Sequence, residues 1–323
     1  MANPVSLFLE RHSSLILTTH DRADADGLGA EKAFSYIAGK LGKKVRIINS
    51  GPVPEHFRFM DPDNSIEIWK DVKDTINENC ALVILDTTDE YNIGDLKDFI
   101  SCASEVFVID HHEPNQFCEF SGLIDNTASS TCELVVEYAN EVNIRLTPES
   151  AMAAYAGMVY DTGFFSYSKT TGRTFRAALV LVETGVKPYF VYKELNESSS
   201  NGTLLLQKKV LSTLEIHNKG RVATQILSKD DLISLGARYE DAENFINIPM
   251  KSKEIEVSIL VKENKEGQVR CSLRSKGSVN VSKMAQIMGG GGHVNAAGFK
   301  SSLDIKDTLE KILSVVTEDL EKS

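Results

Sequence analysis

The sequence predicts an α/β protein in two parts. An N-terminal domain is built on a mostly parallel, doubly wound sheet, and a smaller α/β domain follows it. Three observations carry this expectation. Short apolar, β-branched runs alternate with stretches of helical periodicity, the pattern of parallel strands joined by crossover helices. At 323 residues the chain is longer than a typical single domain. The polar run Asn196-Glu197-Ser198-Ser199-Ser200-Asn201-Gly202 is the best linker candidate. The expected boundaries are 1–195 for the first domain, 196–220 for a linker and connecting helix, and 221–323 for the second domain.

Residues 14–19 read as a buried strand, followed by the polar loop from His20 to Gly27 and a helix over 28–41 closed by Gly42. Val45-Arg46-Ile47-Ile48 is a second strand. Pro52, Pro54 and Pro62 mark 51–64 as loop. Strands at 82–85 and 106–109 follow, with a helix-like stretch around 96–102 between them. Helices are expected at 131–139 and 150–159, the second introduced by Pro148 with Thr147 as its cap. The helical pattern over 175–195 is broken by Gly185 and Pro188, and another helix spans about 203–215. Strands at 222–226 and 255–261 open the second domain. A further strand at 269–274 turns back across Glu266-Gly267, and a helix near 281–288 leads into Gly289-Gly290-Gly291-Gly292-His293.

Composition removes several classes of function. A net charge of −11 argues against binding long duplex nucleic acid over a broad basic surface. A small anionic substrate is still compatible with it, because carboxylates clustered around cations create a local phosphate site. No apolar window approaches membrane-spanning length and no signal peptide precedes the first strand, so no membrane association and a cytoplasmic location are expected. Cys80, Cys102, Cys118, Cys132 and Cys271 show no CxxC spacing and read as reduced, mostly buried thiols.

The chemistry concentrates where apolar runs end. Val106 to Ile109 runs into Asp110-His111-His112, Leu15 to Thr19 into His20 with Asp24 and Asp26, and Leu82 to Leu85 into Asp86. A fourth apolar segment, Met152 to Tyr160, delivers Asp161. Ligands in parallel α/β sheets sit beyond the carboxyl ends of strands. Each residue alone has a structural reading: acids favour the first turn of a helix, and Asp161 before Thr162-Gly163 fits a turn. Four strand-terminal acids or imidazoles have no common structural need. His20, Asp24, Asp26, Asp86, His111 and Asp161 offer oxygen and nitrogen donors without thiolate, which suits Mn²⁺ or another borderline-hard ion. Six side chains exceed what one ion needs and suit two ions sharing a carboxylate, with Asp86 as the bridge and His112 turned to substrate.

Two glycine motifs are also testable. Gly27-Leu28-Gly29 lacks the third glycine of a dinucleotide fingerprint, because position 32 is Lys32. Gly289 to Gly292 is not a P-loop and reads either as a surface loop or as a nest of amides for an anion. His293 and Arg274 beside it favour the nest. Arg173 and Arg176 read as surface charges, with lining the cleft as the alternative.

His20-x-x-x-Asp24-x-Asp26, Asp86, Asp110-His111-His112 and Asp161 resemble the four motifs of the DHH phosphoesterase superfamily. Ser272-Leu273-Arg274-Ser275, followed by Gly289-Gly290-Gly291-Gly292-His293-x-x-Ala296-Ala297-Gly298, is similar to the DHH-associated C-terminal domain. The two-domain length resembles the branch of oligoribonucleases that also act as pAp phosphatases. The resemblance implies a divalent-metal phosphoesterase working in a cleft between the domains through a metal-bridged hydroxide. One Mn²⁺ would lie on His20, Asp24 and Asp86, and a second on Asp26, Asp86, His111 and Asp161, with Mg²⁺ or Co²⁺ as substitutes. Asp86 and His112 are the expected catalytic residues, His112 contacting the scissile phosphate. Arg274, Gly290, Gly291, Gly292 and His293 would hold the substrate's other phosphate. The implied partners are short single-stranded oligonucleotides (nanoRNA), linear dinucleotides such as pApA, or pAp. Chains of this type often pair as homodimers. The first motif departs from the common His-x-Asn-Pro-Asp-Gly-Asp form, reading His20-Asp21-Arg22-Ala23-Asp24-Ala25-Asp26; its ligand positions are retained. A cyclic-dinucleotide phosphodiesterase, a family II inorganic pyrophosphatase and a non-catalytic nucleotide-binding protein are the rival readings.

Overall fold

The structure, a computed structural model, describes residues 3–76, 79–113, 120–277 and 279–322, with the backbone alone for His293 and Lys322. The chain divides into two compact units, Met1–Ser198 and Ser199–Ser323.

In the first unit the order is α1 (Pro4–Arg11), β1 (Ser14–Thr18), α2 (Ala25–Lys40), β2 (Lys44–Asn49), β3 (Ile66–Ile68), α3 (Trp69–Val72), β4 (Ala81–Leu85), α4 (Lys97–Ile100), β5 (Val106–Asp110), β6 (Ser121–Ile124), α5 (Thr131–Glu141), α6 (Pro148–Asp161), α7 (Gly172–Glu183) and α8 (Pro188–Asn196). Six strands form one sheet in the order β3-β2-β1-β4-β5-β6, every pairing parallel. Alternation along each strand feeds two cores. Leu15, Leu17, Val83, Leu85, Phe107 and Ile109 pack beneath Leu28, Phe34 and Ile37 of α2 and the apolar residues of α5 and α6. Ile16, Leu82, Ile84 and Val108 face the other way, onto Trp69, Ile93, Leu96 and Phe99. Both faces are therefore covered, as a parallel sheet requires.

Several short elements depart from the sequence expectation. The helix α1 and the strands β3 and β6 were legible as none of these, being short and lacking strong periodicity. Glu55–Met60 forms a 3₁₀ turn inside the proline-rich stretch. The expected helix around 96–102 shrinks to the four residues of α4, preceded by a 3₁₀ segment that Gly94 interrupts at φ 61° and ψ −135°.

The second unit contains α9 (Asn201–Leu211), β7 (Glu215–His217), β8 (Val222–Leu227), α10 (Lys229–Ser234), β9 (Val257–Glu263), β10 (Val269–Ser275), α11 (Val281–Ile287), β11 (Gly291–His293), β12 (Ala296–Ser301) and α12 (Ile305–Lys322). Its mixed sheet runs β11-β12-β10-β9-β8-β7, with β8 and β9 parallel and the other pairs antiparallel. Val257, Ile259, Val261 and Leu273 pack on α11 and α12, while Leu227 and Leu260 pack on α9 and α10. Cys80, Cys102, Cys132 and Cys271 are free thiols, and Cys118 lies outside the described residues. No helix among the described residues is long and apolar enough to cross a membrane.

Candidate metal centre

In the first sheet the strand order reverses between β1 and β4, which lie side by side. A crevice opens beyond the carboxyl ends of strands at such a switch point. His20 follows β1 there, Asp86 follows β4, and Asp110 ends β5 with His111 and His112 next. Asp86 adopts φ 67°, a left-handed conformation uncommon outside glycine and tolerated by aspartate, where the strand turns away. Asp161 is not strand-terminal like the others: the helix expected over 150–159 forms as α6 and Asp161 is its last residue. The apolar run before it is helical because its alanines and Gly157 pack closely on α2. Beyond Asp161 the chain makes a tight left-handed turn through Gly163, Phe164 and Phe165. Phe165 holds that turn by ring contacts to Tyr155 and Phe175, which fixes the end of α6 and its carboxylate.

Asp24 serves two purposes. Its Oδ1 accepts from the amides of Asp26 and Gly27 and so caps α2, as the structural reading of this loop required. The same oxygen is 3.7 Å from His20 Nε2. Gly27 and Gly29 are explained by packing rather than by a dinucleotide. A Cβ on Gly27 would lie 2.2 Å from Thr19 Oγ1, and one on Gly29 would lie 2.4 Å from the Ala153 carbonyl on α6. The glycines let the start of α2 sink against β1 and α6, which carries Asp26 into the cluster.

The donor atoms converge. His111 Nε2 lies 3.3 Å from Asp161 Oδ2, 3.7 Å from Asp86 Oδ1 and 3.9 Å from Asp26 Oδ2. On the other side His20 Nε2 lies 3.7 Å from Asp86 Oδ2. Most of these separations are too long for hydrogen bonds. They suit donors around a common ion, because atoms each ~2.1 Å from an octahedral cation stand about 3 Å apart at right angles and about 4 Å across. Three groups of side chains meet this test: His20 with Asp24 and Asp86, Asp26 with His111 and Asp161, and Asp86 with His111 and His112. The buried His111 Nε2 has no hydrogen-bond partner among the described residues. Its Nδ1 faces the Ala128 carbonyl at 3.4 Å; a carbonyl only accepts, so Nδ1 carries the proton and Nε2 presents a lone pair to the cluster.

Other residues hold these donors in place, and of these sequence reading singled out Asp110 but missed the rest. The amides of Thr131 and Cys132 at the start of α5 donate to the two oxygens of Asp26 at 2.6 and 2.9 Å. Thr131 Oγ1 donates to Asp86 Oδ1 at 2.9 Å. Asp110 accepts from His112 Nδ1 at 2.7 Å. Lys169 donates to the His111 carbonyl. The run Ser129-Ser130-Thr131 before a helix was the available signal, and it reads only as a cap: Ser130 does cap α5.

The electrostatics are those of carboxylates crowded without counter-charge. Burial, reinforced by Asp86 and Asp24, raises Asp26 well above the usual range. Burial raises Asp86 to about 6 and, with Asp26 and Asp24 nearby, Asp161 to about 8. His111 falls to about 4 through burial and the charge of His112. Burial opposes charge on His20 and His112 as well, yet hydrogen bonds to Asp24 and Asp86 lift His20 to about 10, and the bond to Asp110 lifts His112 to about 9. Bound cations would relieve this repulsion, and their uptake would release protons.

Arg173 is engaged elsewhere. It pairs with Asp125, the buried Glu133 and Glu137 at 2.6, 3.0 and 2.5 Å, while Arg176 is exposed. A cavity of about 410 Å³ between α5 and α7 is lined by residues such as Val136, Ile144 and Leu181, none of them in the cluster. A second, of about 340 Å³, touches the cluster at His20.

In the second unit Arg274 is half-buried on β10, and its strand register sets it opposite Ala296, which in turn faces His293 on β11. The side chain of His293 lies outside the described residues. Structure uses three of the four glycines. Gly289, at φ 80°, ends α11 with amide bonds from Gly289 to Gln286 and from Gly290 to Ala285, a Schellman arrangement. A Cβ on Gly290 would lie 2.2 Å from the Gly298 carbonyl, and one on Gly292 2.5 Å from that of Ala296. At Gly291 neither a positive φ nor a close neighbour requires glycine.

Two family profiles match successive parts of the chain: the DHH family N-terminal domain over residues 14–160 and the DHHA1 domain over residues 220–322. The chain belongs to the DHH phosphoesterase family. Among its curated relatives, the bifunctional oligoribonuclease and PAP phosphatase NrnA of Thermus thermophilus is 28% identical over 312 residues, covering 96% of this chain and 91% of the relative. The cyclic-di-AMP phosphodiesterase GdpP of Bacillus subtilis is 27% identical over 96% of this chain but 48% of its own length. The crystal structure of an exopolyphosphatase-related protein from Bacteroides fragilis shares the fold at a TM-score of 0.90 and 24% identity, covering 98% of this chain and 94% of that one.

Proposed function

We propose that this DHH-family phosphoesterase depends on two divalent cations and hydrolyses short oligonucleotides, linear dinucleotides such as pApA, or pAp. The observation that carries the reading is that Asp86 belongs both to the group with His20 and Asp24 and to one with His111, so one carboxylate serves two neighbouring sites. One ion falls to His20, Asp24 and Asp86, the other to Asp26, Asp86, His111 and Asp161, with Mn²⁺ preferred and Mg²⁺ or Co²⁺ as substitutes. When bound, such ions supply Lewis-acid polarisation and water activation.

The chain's own residues do the rest. His112, whose Nδ1 is held by Asp110 at 2.7 Å, is assigned to the phosphoryl oxygens, where its imidazole would stabilise developing charge. Thr131 and the first amides of α5 fix Asp86 and Asp26, so the geometry precedes substrate. Arg274, Gly290, Gly291, Gly292 and His293 are assigned to a substrate phosphate, Arg274 through its planar fork. The name of the Thermus thermophilus relative supports oligoribonucleotides and pAp as substrates. The GdpP relative favours cyclic di-AMP as a second candidate.

The test is release of products from pApA, pAp, a short oligoribonucleotide, cyclic di-AMP and pyrophosphate, by the native protein and by Asp86→Ala in Mn²⁺. Cleavage of one of the linear nucleotides by the native protein alone supports the proposal. Cleavage of pyrophosphate alone overturns it.

A further inference from the structure

The cavity of about 340 Å³ that touches the cluster is lined by His20, Asp21, Arg22, Tyr91 and Asn92. Its size suits a small ligand group. Two loops build it, one leaving β1 and one following Asp86, and they are tied together. Asp21 donates its amide to the Asn92 carbonyl at 2.6 Å, and Asn92 Nδ2 donates to Thr87 Oγ1. Asp89 Oδ1 caps the turn through the Tyr91 amide at 2.9 Å. Gly94 takes its left-handed conformation where a Cβ would lie 2.3 Å from Ser50 Oγ and 2.9 Å from Asp21 Oδ1, so the loops close over one another only with glycine there.

On this braced rim Tyr91 is 74% exposed, a large ring left in water beside a buried ionic cluster. Arg22 is also exposed and makes no hydrogen bond or ion pair among the described residues. The charges of Asp21 and Arg22 cancel, so the cavity is poorly suited to a second phosphate. A flat aromatic face, a guanidinium plane and polar edges are what an unstacked nucleobase requires.

We infer that this cavity is a nucleobase subsite, in which Tyr91 stacks the base next to the scissile phosphate and Arg22 flanks it. The inference rests on the phosphoesterase reading and narrows it, because it selects nucleotides over base-free phosphoesters. Tyr91 and Arg22 determine specificity here; they move no proton.

The experiment compares the native protein with Tyr91→Ala, Tyr91→Phe and Arg22→Ala in Mn²⁺. Substrates are pApA and the same dinucleotide with either base replaced by hydrogen. Binding of a non-hydrolysable pApA analogue is measured in parallel. Loss of one stacked base is worth about tenfold in affinity. Tyr91→Ala should therefore raise KM for pApA about tenfold with little change in kcat, and Tyr91→Phe should restore it. For the abasic substrate lacking the stacked base the two proteins should differ by less than about twofold. Arg22→Ala should show a smaller rise of the same kind. Unchanged KM in Tyr91→Ala, or equal losses on all three substrates, overturns the subsite while leaving the hydrolase intact. Should the native protein cut nothing yet bind the analogue about tenfold better than Tyr91→Ala does, the subsite stands and the catalytic reading falls. If Tyr91→Ala binds the analogue as well as the native protein does, the subsite falls whatever the turnover.

Discussion

Asp86 divides its two oxygens between two imidazoles: Oδ2 stands 3.7 Å from His20 Nε2, and Oδ1 stands 3.7 Å from His111 Nε2. Around that carboxylate the other donors fall into two sets. The arrangement makes several outcomes predictable.

Metal binding should stabilise the fold. Asp26, Asp86 and Asp161 are raised by burial and mutual repulsion, a stress that cations remove. A ligand held at a hundred times its dissociation constant stabilises by about 2.7 kcal/mol. The melting temperature of the protein stripped with EDTA should rise by several degrees on adding Mn²⁺, and Asp86→Ala should lose most of that rise. An equal rise in the variant contradicts the assignment.

Thr131 acts on the metals through Asp86. Thr131→Val keeps the shape but removes the hydroxyl that donates to Asp86 Oδ1. Loss of such an orienting bond lowers metal affinity about 10–100-fold. Titration calorimetry with Mn²⁺ reads this directly, and unchanged affinity would show the bond to be incidental.

Glu31 should give the stripped protein a pH-dependent stability. It is fully buried on α2, accepts from Asn49 Nδ2 at 3.0 Å, and burial raises it to about 8. Its folded-state value exceeds the unfolded one, near 4.5, so the folded protein binds the extra proton between them. The contribution is complete below about pH 4.5 and is lost as pH rises through about 8. Glu31→Gln cannot ionise. Relative to it, the native protein should lose on the order of 5 kcal/mol between those limits. Parallel stability profiles would refute this.

Arg173 should matter to folding rather than to substrate. Removing it strands the buried Glu133 beside Asp125 and Glu137. Breaking a buried pair from one side costs about 3–5 kcal/mol, somewhat less here because Arg173 is partly exposed. Arg173→Ala should unfold at lower urea with KM for pApA unchanged. A large KM effect in a protein of native stability would return Arg173 to the substrate-binding face.

Gly29→Ala separates packing from helix propensity. Alanine favours helix by about 1 kcal/mol over glycine, but its Cβ would meet the Ala153 carbonyl at 2.4 Å and Cys132 Sγ at 2.9 Å. Overpacking of this kind costs about 1–3 kcal/mol, so the variant should be less stable in urea.

The parallel sheet and the convergence of His20, Asp86 and Asp110-His111-His112 were legible because apolar strands and the polar residues that end them are local features of sequence. The segment before Asp161 was legible as a helix from Pro148 and its Thr147 cap, and the misreading was to group Asp161 with the strand-terminal residues, since α6 runs to Asp161 itself. The bonds from Thr131 and Cys132 to Asp26 span 105 and 106 residues and that from Thr131 to Asp86 spans 45, and they leave no local trace beyond a cap. Gly27 and Gly29 match only part of a dinucleotide motif, a partial match that arises because close helix packing demands the same residue as close approach to a phosphate. Arg173 was visible as a charge, but its three carboxylate partners lie far off in sequence and only the fold brings them to it.

The most direct test of two cations sharing Asp86 is to count bound Mn²⁺ by elemental analysis of dialysed protein, native and Asp86→Ala, alongside hydrolysis of pApA. The arrangement predicts about two ions per native chain, with activity, and a loss of both in the variant on the order of 10³-fold in kcat/KM. A native chain that holds one ion or none, or a variant that still cleaves pApA, contradicts it.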